Sequence, residues 1–69
     1  MWTKFDPENP PKNNYFLIAP KGTTCYDHLE IVRQVNFWGK MAYQNSTGHR
    51  VYEDEIEWWY PLPELPLNL

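Results

Sequence analysis

A single cysteine, Cys25, leaves this 69-residue chain with no internal disulfide. So short a chain without one points to a reducing compartment. No stretch is long and apolar enough for a signal peptide or a membrane helix, so the expected location is the cytoplasm, with no membrane partner. Positive charge is also scarce. Six Lys and Arg, scattered from Lys4 to Arg50, face nine Asp and Glu for a net charge of −3, which argues against direct binding to a nucleic-acid backbone. Glycine occurs only at the isolated turn positions Gly22, Gly39 and Gly48, so there is no loop to cradle a phosphate. Cys25 and His28 have a C-x-x-H spacing, but His49 stands alone and no second ligand pair follows. Closed zinc sites use paired motifs at both ends, so these residues read as a buried thiol and two surface histidines, with no metal and no cofactor expected. The same thiol–imidazole pair lacks an orienting third group, and a chain this small rarely builds a dry cleft, so an enzyme is not expected.

What the chain has is aromatic side chains: four Trp, five Tyr and three Phe, 17% of its residues. At roughly 200 Å² per buried ring, with the aliphatic residues added, apolar burial contributes roughly 90 kcal/mol. Ordering the chain costs roughly the same, so folding is nearly balanced and a partner or self-association would help it. The length allows one domain, residues 1–69. Met1 to Phe5 alternates, with Trp2 and Phe5 as its apolar anchors, and Asp6 to Asn14 holds three prolines and reads as a loop. The run Tyr15-Phe16-Leu17-Ile18-Ala19 reads as a central strand, closed by the turn Pro20-Lys21-Gly22-Thr23.

The segment Cys25 to Trp38 supports two readings. As a helix it starts at Asp27 with Glu30 three residues on, a capping-box pattern. As a strand it places Leu29, Ile31, Val35 and Phe37 on one face, and its β-branched content with the Trp38-Gly39-Lys40 turn favours this. Met41 to Gln44 then pairs back, Asn45-Ser46-Thr47-Gly48 turns, and a last strand runs from Arg50 through Tyr60. The expected fold class is mostly β, or α+β: a small twisted antiparallel meander of four to five strands, open or half-closed into a barrel, with a short helix near 26–35 as the alternative. Residues 61–69, Pro-rich and unable to extend a ladder, are expected to pack on the sheet through Leu62 and Leu65.

Trp2-Thr3-Lys4-Phe5, Pro10 and Phe16-Leu17-Ile18 follow the pattern W-I-x-V, L-P, V-L-V. Ile56 through Pro66 follows I-T-H-W-M-P-L-P-E-P-P over eleven positions. In these two stretches the chain resembles a family of small domains of unknown function from tailed phages and prophages. Asn9 stands for the leucine, Trp58 for the histidine, Tyr60 for the methionine and Leu65 for a proline. The resemblance covers about 30 residues at the two ends. It implies a phage-type accessory protein in a bacterial host cell and brings no assigned chemistry.

The densest charge feature is Glu53, Asp54, Glu55 and Glu57. In an unbroken strand, alternation buries Ile56, Trp58 and Tyr60 and leaves Trp59 half exposed beside the carboxylates. The resemblance points the other way, with Trp59 in the signature position. The candidate protein-binding residues are Tyr52, Glu53, Asp54, Glu55, Glu57 and Trp59, a face that would steer toward a basic partner and anchor on a ring. The expected function is non-catalytic: binding a host protein of a defence or replication complex and inhibiting or modulating it. One alternative is an oligomer that sequesters a nucleotide signal, favoured by a cationic pocket of Lys21, Arg33, Lys40 or Arg50 beside rings. The other is an acidic nucleic-acid mimic.

Overall fold

The computed structural model describes residues 1–63. Among these residues six strands form one antiparallel sheet: β1 Thr3–Lys4, β2 Phe16–Pro20, β3 Glu30–Phe37, β4 Lys40–Gln44, β5 Arg50–Tyr52 and β6 Ile56–Pro61. The protein is thus mostly β, with six strands where four or five were expected. The helix alternative reduces to a 3-10 turn at Tyr26–His28, and β3 takes the rest of that segment.

Local signals account for the connections. The β3–β4 hairpin turns on Trp38 and Gly39, both with positive φ (57° and 75°), as a two-residue loop matched to strand twist requires. Gly39 adopts this freely; Trp38 does so against its Cβ. Trp38 is 90% exposed, its ring edge-on to that of Phe37. Trp38→Asn is therefore expected to stabilise the hairpin by about 0.5–1 kcal/mol, which raises the melting temperature by a few degrees. An unchanged or lower melting temperature would show that the indole contributes more than its backbone strain costs. At the β4–β5 turn, the Asn45 side-chain oxygen Oδ1 accepts from the Thr47 and His49 N–H groups and from the Thr47 hydroxyl. Its amide donates to Glu30 at 2.8 Å, which satisfies that half-buried carboxylate.

The strand order is β1-β6-β2-β3-β4-β5, so the meander of β2 to β5 is interrupted before β6. The single last strand expected from Arg50 to Tyr60 is two strands, separated by a 3-10 turn at Glu53–Glu55. The turn carries the chain from edge strand β5 back to pair with β2, and β1 then covers β6. Pro61 belongs to β6 and lies opposite Phe16, so the ladder reaches one residue into the Pro-rich stretch. A proline at a strand end sacrifices little pairing. Leu62 is half-buried; Leu65 and the rest of 64–69 lie outside the described residues, and with them most of the expected tail packing.

The core lies on one face of the sheet: Phe16 and Ile18 from β2, Val32, Tyr43, Val51 and Ile56, with Phe5 after β1 and the half-buried Trp59 against them. The ring of Phe5 meets that of Tyr43 edge-on at 5.4 Å, so the open sheet curls until its first and fourth strands approach across the core. Phe5, not Trp2, is the N-terminal core anchor. Trp2 is exposed and packs edge-on against Tyr60 on the opposite face. In β3 the buried residue is Val32, in register with Phe16, while Ile31 is 53% exposed. The richer apolar face of that strand therefore points away from the core. Among the described residues no helix is long and apolar enough to cross a membrane.

Candidate functional site

Pairing between β2 and β6 slips by one residue: Ala19 faces Trp58, but Pro20 faces Ile56. Glu57 is the extra residue of a β-bulge. Its carbonyl accepts the N–H of Phe5 at 3.0 Å, so the bulge is held from the β1 side. The bulge inverts the alternation of the aromatic run. Ile56 and Trp59, three apart, both reach the core side. Trp59 sits 5.9 Å edge-on from Phe16, whereas Trp58 is 39% exposed on the outer face. The expectation that Trp58 is core and Trp59 the exposed ring is thus reversed, because an inserted residue moves every later side chain to the other face.

Trp58 forms one wall of an open groove of about 980 Å³. Trp2, Ala19, Tyr26, Leu29 and Glu57 are among the other residues that line it. The segment after β2 builds the far side. The His28 ring nitrogen Nδ1 accepts the Thr24 N–H at 3.2 Å, and the Tyr26–His28 turn leaves Tyr26 exposed. Cys25 also borders the groove and is exposed, not the buried thiol expected. The indole Nε1–H of Trp58 donates to the Glu57 carboxylate at 3.1 Å. The ammonium of Lys4, cross-strand from Trp58, lies 5.1 Å from the Trp58 ring centre and 3.9 Å from Glu57.

The other candidate residues do not share this place. Glu53, Asp54 and Glu55 are exposed on the 3-10 turn rather than along a strand face. Tyr52, half-buried at the end of β5, carries the Lys40 ammonium 4.7 Å above its ring. Next to it on the outer face the Arg50 guanidinium lies 3.9 Å from the Phe37 ring centre. Beneath, Ala42, in register with Val35 and Tyr52, is fully buried outside the main core. Of the six candidates only Glu57 lines the groove, while Trp59 is turned to the opposite face. Trp2, Tyr26, Leu29 and Trp58 were not foreseen there. The one available hint was that Trp58 and Trp59 cannot both follow simple alternation.

Among the described residues no three His, Cys, Asp or Glu side chains cluster as metal ligands. No family model, no curated protein and no solved structure matches the chain.

Proposed function

We propose that this chain is a small, non-catalytic, phage-type accessory protein that binds a host protein with a basic surface and inhibits or modulates it. The observation that carries this reading is the outer sheet face. Trp2, Ile31, Trp58 and Tyr60 are exposed there together, and Glu57 stands among the rings. Monomers seldom leave a contiguous aromatic patch in water, and Trp and Tyr dominate the centres of protein interfaces. The Glu53–Glu55 turn adds exposed negative charge that would steer a basic partner. The resemblance of the two chain ends to phage domains supports the bacterial-host setting.

The rival reading, an oligomer holding a nucleotide signal, draws support from the Lys40–Tyr52 and Arg50–Phe37 pairs. Those cations lie on the sheet face over the chain's own rings, and none of them lines the groove. Protein binding is therefore favoured.

The test uses the immobilised chain as bait in bacterial lysate beside the variants Ile31→Glu and Trp58→Glu, both checked for a wild-type melting curve. A host protein retained by the wild type and lost from both variants is the expected result. With that protein purified, Glu55→Lys with Glu57→Lys should slow its association and flatten the salt dependence. Capture of the same protein at equal yield by both face variants would remove the basis of the proposal.

A further inference from the structure

We infer that the groove beside Trp58 receives one arginine side chain of the partner, with an apolar neighbour of that arginine packed along the groove. The inference rests on the reading of this face as a protein-binding surface and names what the surface recognises. Among the described residues Glu57 is the one formally charged side chain lining the groove; Trp2, Tyr26, Leu29 and Trp58 supply much of its apolar wall, Thr23, Thr24 and Cys25 its neutral polar part, and Met1 its outer edge. A neutral apolar ligand would strip water from the Glu57 carboxylate and leave it with one indole hydrogen bond and a long 3.9 Å pair to Lys4, a costly state. A cation removes that cost.

The chain itself shows that the Glu57–Trp58 pair accepts a cation. The Lys4 ammonium lies over the indole and near the carboxylate, yet Lys4 is not among the groove's lining residues and its side chain is largely exposed. The carboxylate is also held in place, since one oxygen accepts the Trp58 Nε1–H at 3.1 Å. A carboxylate beside an indole, in a groove that Tyr26 also lines, suits a planar guanidinium, which bonds a carboxylate through a fork and stacks on rings at once. An ammonium is more strongly hydrated and presents no such plane. The groove's roughly 980 Å³ exceeds one side chain, which leaves room for the flanking apolar residue.

The probes are the tripeptide Ac-Leu-Arg-Leu-NH2 and its citrulline counterpart, which keeps the shape of arginine without its charge. Binding is followed through the indole N–H signals of the nitrogen-15-labelled chain, with the Trp58 signal assigned by its absence from Trp58→Phe. The arginine peptide should shift the Trp58 signal saturably and bind about tenfold more tightly than the citrulline peptide. Glu57→Gln, a conservative change at a partly exposed position, should bring the arginine peptide down to the citrulline level. Equal binding of the two peptides to the wild type, or no saturable shift with either, overturns the inference. If that happens while Ile31→Glu and Trp58→Glu still abolish host-protein capture, the face remains a protein-binding surface that does not read arginine. If the peptides are discriminated but capture survives both variants, the face reading falls instead.

Discussion

Phe16→Ala is expected to leave the domain largely unfolded at ambient temperature. Phe16 is fully buried, and its ring contacts Tyr43 at 5.7 Å and Trp59 at 5.9 Å between centres. Those partners come from β4 and β6, so this one side chain joins the two halves of the curled sheet. Truncating a buried phenylalanine costs about 3–5 kcal/mol. A domain of this length has about 3–10 kcal/mol in total. The loss is therefore comparable to the whole stability, and Phe16→Leu, which keeps most of the volume, should retain the fold. Near-ultraviolet circular dichroism and urea titration read the outcome. A cooperative Phe16→Ala transition with a midpoint near the wild-type value would show that the two halves do not depend on this ring.

Tyr43→Phe is expected to act in the opposite direction. Tyr43 is 1% exposed, and its hydroxyl has no hydrogen-bond partner among the described residues. An unpaired buried polar group costs about 1–3 kcal/mol, so removing the oxygen while keeping the ring should raise the melting temperature at pH 7 by several degrees. Burial, with a smaller contribution from the Glu53 charge, pushes the phenol above its ordinary value of 10.0. Because the folded-state value is the higher one, its stabilising contribution is complete below 10.0 and is lost as pH rises through that value toward the folded one. In that window the unfolded chain ionises the phenol more readily than the native state does. The advantage of Tyr43→Phe over the wild type should therefore widen in alkali, as paired melts at pH 7 and pH 10.5 would reveal. A phenylalanine variant less stable at pH 7 would mean that the hydroxyl is satisfied in solution, with Glu53, whose charge acts on the phenol, as the acceptor to examine.

Local chemistry was legible in the residues themselves. The aromatic and β-branched runs around Phe16–Ile18, Ile31–Phe37 and Ile56–Tyr60 are strands, and Trp38-Gly39 and Asn45-Ser46-Thr47-Gly48 are turns, because extended backbone and tight turns are set by neighbours within a few positions. The local residue pattern alone therefore determined a small β protein. It did not determine which side of each strand is inside. Alternation divides a strand into two faces but does not label them. Val32 rather than Ile31 is buried because β2 and β3 pair Phe16 with Val32, and Trp59 rather than Trp58 is inside because Glu57 bulges against β2. The return of β6 to β2, rather than on from β5, likewise depends on contacts between distant parts of the chain. Only the tertiary structure decided these, since pairing register is a long-range property and one inserted residue exchanges the faces of all that follow. The candidate groove exists because of that exchange, which turns Trp58 outward beside Trp2 and Tyr26.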